Sequence, residues 1–191
     1  NLREFGLGAH KTVDDKPFGG GVGMVMRVDV VHNAIRATQT NKGTEKVVLL
    51  DPVGQVYKQQ TAIEFSKIDH LILVCGHYEG IDARIRDYVD EVISIGDYVL
   101  SGGEIGAIVI IDSILRLIPG ALKHTAATEI ESFSQTEGHT LLESPQYTRP
   151  EEYNGVSVPE ILKLGNHKQI EEFRLTEARK LTQKNRPDLK D

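Results

Sequence analysis

The stretch EVISIGDYVLSGGE, residues 91–104, joins a short apolar segment to a loop that contains three glycines. Residues 91–95 have the length and apolar content of a buried β-strand, and Gly96 ends that strand. The segment Glu104–Leu117 that follows the loop is strongly apolar and stops before Pro119, which predicts a helix. A strand, a glycine-rich loop and a helix in succession form the repeating unit of an α/β fold.

The same pattern occurs twice upstream. Val47–Leu50 and His70–Cys75 are apolar runs of strand length, and Asp51 and Pro52 are predicted to end the first of them. Helices are predicted around these strands at residues 29–39, 60–68 and 82–89. Strands that alternate with helices predict the α/β class with a mostly parallel sheet. Residues 1–26 mix turn residues with short apolar pieces and are predicted to be loops.

A change in composition predicts more than one domain. Residues 1–124 contain the strands and helices of the predicted α/β domain, whereas residues 125–145 are polar and rich in turn residues, as in an interdomain linker. Residues 146–191 are charged and helical in pattern, which predicts a small C-terminal helical domain.

The bulk composition excludes some classes of protein. No apolar run among the 191 residues approaches the roughly 20 residues that cross a bilayer, so no membrane partner is expected. The single cysteine, Cys75, excludes an internal disulfide and predicts a reducing, cytoplasmic compartment. The net charge of −6 argues mildly against nucleic acid as a partner, but a local basic patch matters more than the total charge.

The three predicted strands all end in loops that contain glycine. In an open parallel sheet, ligands bind outside the carboxyl ends of the strands, so converging loops predict one pocket lined by backbone groups. Any one of these glycines is explained by a tight turn, whereas three such loops in one sheet favour a binding site. The residues of these loops are Asp51–Gly54, Gly76–Gly80 and Gly96–Gly103.

The composition of the loops indicates the chemistry of the ligand. No phosphate-binding G-x-x-x-x-G-K-[ST] motif is present, and acidic residues lie where a phosphate requires cations. A glycine-lined pocket without lysine suits a planar base, and the nearby acids suit a cationic or amine-bearing ligand. S-adenosylmethionine meets both requirements, because it has an adenine and a sulfonium. The seven histidines lack the spacing of a zinc site, and Cys75 within an apolar strand favours packing over a nucleophile.

Several strings together resemble one known family. HKTVDDKPFGGGVGM, CGHYEGID, SIGDYVLSGGE, IDSILRLIPGAL and YTRPEEYNGVSVPEILKLGNHKQIEEFR occur in the order and spacing of the bacterial tRNA (guanine-N1)-methyltransferases of the SPOUT class. The resemblance implies an α/β domain with a deep trefoil knot, followed by a small helical domain. The match begins after the family's opening strand and helix, so that either the sequence is a fragment or the sheet is trimmed.

The resemblance implies methyl transfer from S-adenosylmethionine to N1 of the guanine just 3′ of the tRNA anticodon, guanosine-37. The implied donor-binding residues lie in the three loops, and the backbone of Ile95, Tyr98 and Leu100 is expected to hold the adenine. The complete set is Leu49, Leu50, Asp51, Pro52, Gly54, Gly76, Tyr78, Glu79, Ile95, Gly96, Asp97, Tyr98, Val99, Leu100, Ser101, Gly102 and Gly103.

The resemblance also implies two catalytic residues. Glu131 aligns with the family's general base, which is usually an aspartate, and Arg116 aligns with the arginine that stabilises charge on guanine O6. His77 stands where the family usually has arginine. These departures leave a second reading open, in which the chain is a catalytically impaired SPOUT-type module that binds RNA or a nucleotide.

The partners implied by the resemblance are tRNA and a second copy of the chain. The C-terminal domain, Arg149 and the region of Lys11 and Lys16 are expected to bind the anticodon arm. The family forms a homodimer in which the active site is shared between the chains. The resemblance further implies assistance by Mg²⁺, although no carboxylate cluster in the sequence marks a site for that ion.

Overall fold

The structure, a computed structural model, describes residues 1–40, 42–121, 131–136 and 139–189. The chain divides into two compact units, Asn1–Ala121 and Leu122–Asp191. The predicted domain boundary after residue 124 and the first part of the predicted linker, residues 125–130, lie outside the described residues.

The first unit begins with a short antiparallel strand pair rather than with loops alone. After a 3₁₀ helix, Leu2–Phe5, strand β1 (Asp14–Asp15) pairs with strand β2 (Val25–Met26). The prediction of loops over residues 1–26 was wrong here, because strands of two residues are too short to show an alternating pattern.

An alternation of helices and strands follows, and three of the strands form one sheet. The elements are α1 (Val28–Thr38), β3 (Glu45–Val56), α2 (Gln59–Phe65), β4 (His70–Cys75), a 3₁₀ helix (Ala83–Tyr88), β5 (Glu91–Ser94) and α3 (Glu104–Leu115). Among the described residues, the sheet has the order β4-β3-β5, and both pairings are parallel. The predicted α/β class with a parallel sheet is therefore confirmed.

Strand β3 continues beyond the point where the sequence predicted its end. It runs to Val56 through Asp51 and Pro52, and its register with β5 shifts between Leu50 and Gln55. A proline has no N–H to donate and is tolerated at such an irregularity, which explains why the prediction of an early end was wrong.

The predicted helix at residues 82–89 is a 3₁₀ helix instead of an α-helix. The side chain of Asp82 accepts a hydrogen bond from the backbone N–H of Arg84 and caps the segment at its start. Within the segment Ile85 is its only buried residue, so there is no continuous apolar stripe to stabilise a longer helix.

Both faces of the parallel sheet are buried. Val47 and Leu49 of β3 pack on one side, in a cluster with Ile35 of α1. Val48 points to the other side and packs with Phe65 of α2 and Ile110 of α3. This double burial explains why the strands read as continuous apolar runs rather than as alternating patterns.

The second unit, within residues 131–136 and 139–189, contains one α-helix. Helix α4 (His167–Asn185) follows two short hairpins, formed by β6 (Gln135–Thr136) with β7 (His139–Thr140) and by β8 (Glu152–Tyr153) with β9 (Val156–Ser157). The prediction of a helical domain is therefore correct only for a single α-helix. The buried hydroxyl of Thr182 accepts a hydrogen bond from the N–H of Leu142 and ties the helix to the preceding segment.

Candidate functional site

The middle of β3 and the carboxyl ends of β4 and β5 border a cleft of about 520 Å³ in the first unit. The loops that follow β4 and β5 supply most of its lining, and residues 49–53 of β3, at the shift in its register with β5, supply the rest. Fifteen of the predicted donor-binding residues line this cleft: Leu49, Leu50, Asp51, Pro52, Gly76, Tyr78, Glu79, Ile95, Gly96, Tyr98, Val99, Leu100, Ser101, Gly102 and Gly103. The first predicted loop is thus part of β3, and the parallel sheet brings this segment and the two loops to one edge.

Two predicted donor residues, Gly54 and Asp97, are not part of the lining. Gly54 packs against β5, where an added Cβ would lie 2.5 Å from the backbone nitrogen of Ile93. Its missing side chain therefore permits the close approach of two strands rather than of a ligand. Asp97 is an exposed residue at the tip of its loop.

The third loop is held in shape by its own hydrogen bonds. Gly96 has a φ of +142°, a conformation that favours glycine, and its carbonyl accepts a hydrogen bond of 2.9 Å from the N–H of Tyr98. The hydroxyl of Tyr98 donates to the carbonyl of Ile95 at 3.0 Å. The Tyr98 ring thus folds back over Gly96, and the loop keeps a defined set of exposed backbone groups.

The second and third loops are in direct contact. The N–H of Gly103 donates a hydrogen bond of 3.0 Å to the carbonyl of Gly76, and His77 forms an isolated antiparallel bridge with Gly102. Nε2 of His77 lies 2.5 Å from Oε1 of Glu104, the first residue of α3. The hydrogen bond from His77 lowers the pKa of Glu104, and the residue's backbone N–H adds to this effect.

The charged side chains of the lining are mostly acidic. Arg86 lies 3.9 Å from Asp51, which also accepts a hydrogen bond from the N–H of Val53. The N–H of Glu79 donates to the carbonyl of Met24, which holds this residue beside the glycine-rich loop that precedes β2. Among the described residues that line the cleft, none is a lysine. The cleft therefore suits a ligand with positive charge better than a chain of phosphates.

Some lining residues were absent from the sequence-based set. Arg86 was missed because its segment was predicted as a regular helix, which gave no indication of the face that meets the cleft. Gly106 lies inside α3, where an added Cβ would approach Leu50 and Ile95 at 3.4 and 3.2 Å. A glycine inside an apolar helix was the one sequence signal that could have indicated this close approach.

The two predicted catalytic residues lie in different units. Arg116 follows the last turn of α3 in the first unit and is half-buried. Glu131 lies in the second unit and lines a separate cleft of about 390 Å³, together with Leu141, Glu143, His167, Arg174 and other residues.

The backbone around Glu131 is held in a tight turn. Its carbonyl accepts a hydrogen bond of 3.1 Å from Ser134, and the Ser132 hydroxyl accepts one of 3.0 Å from the N–H of Glu143. Phe133 has a φ of +70°, a strained conformation for a residue with a side chain. The carboxylate is thus attached to a well-defined segment of backbone.

Metal-binding clusters and membrane-spanning helices are both absent from the described parts of the chain. No group of three or more His, Cys, Asp or Glu side chains there is arranged to hold a metal ion. No helix in the same residues is long and apolar enough to span a membrane.

The chain is similar to known proteins over its whole length. The profile of the family described as tRNA (Guanine-1)-methyltransferase TrmD matches residues 1–191. A tRNA (guanine-N(1)-)-methyltransferase of Latilactobacillus sakei is 47% identical over 190 residues, which cover 99% of this chain and 76% of that protein. Proteins of the same name from Geobacillus kaustophilus and Enterococcus faecalis are 48% and 46% identical, cover 100% and 99% of this chain, and are themselves covered to 77% and 76%. The similarity thus extends over both compact units.

Proposed function

The chain belongs to the TrmD family of tRNA (guanine-1)-methyltransferases, and we propose that it methylates N1 of the guanine just 3′ of the anticodon, with S-adenosylmethionine as the methyl donor. The activity itself is assigned from the family membership and from the similar relatives. The observation that supports the donor site is the cleft between the middle of β3 and the carboxyl ends of β4 and β5, where two glycine-containing loops expose backbone groups.

The cleft has the size and chemistry that the donor requires. Its volume of about 520 Å³ lies within the range of roughly 300–1,000 Å³ that is usual for small-molecule sites. The carboxylates of Asp51 and Glu79 line it and favour a cationic ligand, and Arg86 is already paired with Asp51. When bound, S-adenosylmethionine supplies an electrophilic methyl group on a positively charged sulfur.

The third loop is the part of the cleft best suited to an adenine. Its N–H and C=O groups can read the edge of a planar base, and Ile95, Tyr98 and Leu100 contribute their backbone to this role. Gly102 and Gly103 leave the adjoining backbone without side chains, which permits close approach of the ligand.

Methylation of guanine N1 requires help from the protein because this nitrogen carries a proton. A base must remove the proton as the methyl group arrives, and negative charge then develops on O6. We assign the first role to Glu131 and the second to Arg116. The tight turn at residues 131–134 supports the role of Glu131, since a general base must be held within hydrogen-bond distance of its proton.

The glutamine variant E131Q tests this assignment. It preserves the shape of the side chain but removes the basic oxygen, so we expect methyl transfer to tRNA to fall by at least about 100-fold. Binding of S-adenosylhomocysteine, measured by calorimetry, should be unchanged. Near-normal transfer in E131Q would assign the base to another residue. If the unaltered chain binds donor and tRNA without methyl transfer, it is a binding module instead of an enzyme.

The exposed face of α3 supports association with a second copy of the chain. Gly106, Ala107, Ile110 and Ile114 form the buried side of the helix. On the other side, Ile105 and Ile108 are 62% and 63% exposed, and Val109, Ile111 and Leu115 are also exposed. Asp112 is the exposed acid on this side of the helix. An exposed apolar patch of this kind marks an interaction surface, and we infer that a homodimer covers this face.

Cations on α4 support contact with the anticodon arm through residues 146–191, with residues 125–145 as the linker. Lys168, Arg174 and Lys184 are exposed, as are Arg149, Lys11 and Lys16 elsewhere in the chain. Lys163 and Lys180, by contrast, are engaged with glutamates. We expect tRNA affinity to fall steeply between about 50 and about 200 mM salt, and the K168A/R174A double variant to show a smaller salt slope. An identical slope in both proteins would remove these two cations from the interface.

The fold of the first unit is proposed to contain the trefoil knot of the SPOUT class. The contact between the second and third loops supports this proposal, since Gly103 packs against Gly76 closely enough to exclude a side chain.

A further inference from the structure

Two histidine–glutamate pairs occupy opposite ends of the parallel sheet. His77 and Glu104 lie at the carboxyl ends of the strands, with Nε2 and Oε1 2.5 Å apart. His70 and Glu45 lie at the first residues of β4 and β3, with Nδ1 and Oε2 2.7 Å apart. Of these four residues, only His77 lines the cleft. The second pair is therefore an internal control for any effect of the first.

The His77–Glu104 pair links the second and third loops, which both line the cleft. His77 follows β4 and belongs to the second loop, whereas Glu104 comes directly after the third loop and begins α3. The side chains lie across Gly102, where an added Cβ would be 2.8 Å from Cε1 of His77 and 2.6 Å from Oε2 of Glu104. The absence of a side chain at Gly102 is thus a condition for the pair to form.

The pair reinforces a backbone contact that is itself small. The hydrogen bond from Gly103 to Gly76 and the bridge between His77 and Gly102 are the main-chain contacts between these loops. A side-chain bond across the same junction restrains the distance between the loops. Both loops line the cleft, so this restraint acts on its lining.

Glu104 is the carboxylate that bonds directly to the imidazole of His77. Glu104 faces it from α3, and β2 contributes the uncharged Met26, whose sulfur accepts a hydrogen bond of 3.2 Å from the N–H of His77. The Tyr78 ring lies 6.2 Å from the imidazole in the same loop. Cys75 of β4 is half-buried, and burial raises the pKa of its thiol, so that it stays neutral near pH 7.

Glu79 is a second carboxylate close to His77. It lies two residues after His77 in the same loop and also lines the cleft. A hydrogen bond to a carboxylate is stronger than one between two neutral groups.

We propose that His77 and Glu104 form a latch between the second and third loops, and that this latch strengthens the binding of the methyl donor. The latch rests on the proposed donor site and adds a pair of positioning residues to it. Neither side chain carries out a chemical step.

Calorimetric titration with S-adenosylhomocysteine tests the latch. Because both side chains are about half exposed, we expect E104Q to bind only about two- to five-fold more weakly than the unaltered protein. H77R keeps a hydrogen-bond donor for Glu104 and should bind at least as tightly as the unaltered protein.

The control variant H70Q removes the other histidine–glutamate pair and should retain the affinity of the unaltered protein. Equal affinity of E104Q and the unaltered protein would overturn the latch. Failure of the unaltered protein to bind the nucleoside would instead overturn the donor site and the latch with it.

Amide hydrogen exchange on the unliganded protein gives a second readout that needs no ligand. We expect faster exchange of the Gly103 amide in E104Q than in the unaltered protein or H70Q, because this amide donates across the junction. Equal exchange in all three proteins would show that the pair does not restrain the loops.

Discussion

Gly103 and Gly106 are three positions apart, and replacing each with alanine should give different results. At Gly103 an added Cβ would lie 2.8 Å from Cα of Cys75 and 3.2 Å from the nitrogen of Gly76, both in the backbone where β4 ends and the second loop begins. At Gly106 the nearest atoms are side-chain methyl groups of Ile95 and Leu50, at 3.2 and 3.4 Å. A side-chain end can rotate away, whereas the backbone at the junction of two loops cannot.

The size of the effect follows from this difference. The backbone of Gly103 has a φ of −75°, which any residue adopts, so the cost of G103A is steric overlap alone. Overpacking of this kind costs about 1–3 kcal/mol of unfolding free energy, equivalent to roughly 3–9 °C in Tm for a chain of this size. In G106A the gain in helix propensity, at most about 1 kcal/mol, offsets the tighter contact with Ile95. The stability of G106A should therefore remain within about 1 kcal/mol of the unaltered protein.

Thermal melts followed by circular dichroism, with calorimetric binding of S-adenosylhomocysteine, measure both consequences. G103A should lower Tm and weaken binding by at least about tenfold, since the two loops must move apart to make room for the alanine side chain. G106A should leave Tm nearly unchanged. If the two variants melt at the same temperature and bind equally well, the close contact between the second and third loops is not part of the folded protein.

Three other measurements follow from the structure. I108E places a charge on the exposed apolar face of α3 and should convert a dimer into a monomer in light scattering, whereas a monomeric unaltered protein would refute that interface. Hydrogen bonds from the N–H and hydroxyl of Thr44 lower the pKa of Asp69, so its stabilisation is present above the unfolded value of about 3.9 and is lost as the pH falls through the folded value. Urea unfolding of D69N should therefore show a weaker loss of stability below about pH 4, and an unchanged acid limb would contradict this. Burial, followed by the charge of Glu104, raises the pKa of the Cys75 thiol, so iodoacetamide at about pH 8 should modify it more slowly than free cysteine. Equal rates would contradict the partial burial of this thiol.

The strands and the position of the cleft could be predicted because they depend on local patterns. Val47–Leu50 and His70–Cys75 read as buried strands since both faces of the sheet are covered, and Gly76, which follows the second run, lies at the edge of the sheet that borders the cleft. The extension of β3 through Pro52 could not be predicted. A proline breaks a regular strand, and only the shifted register with β5 makes room for it.

The role of individual glycines also depended on tertiary contacts. Gly54 and Gly103 look alike in the sequence, yet the first permits two strands to approach and the second permits two loops to meet at the cleft. Family resemblance named Glu131 and Arg116 as the catalytic pair, and their roles remain proposals to be tested by substitution.

The sequence by itself determined the α/β class, the order of the strands along the chain and the family, because these properties depend only on short apolar runs and contiguous motifs. Tertiary structure alone decided which loops touch. His77 and Glu104 are 27 residues apart, and no periodicity connects residues at that separation. They meet because β4 and α3 bring their ends to the same edge of the sheet, and Gly102 leaves the space in which the two side chains bond.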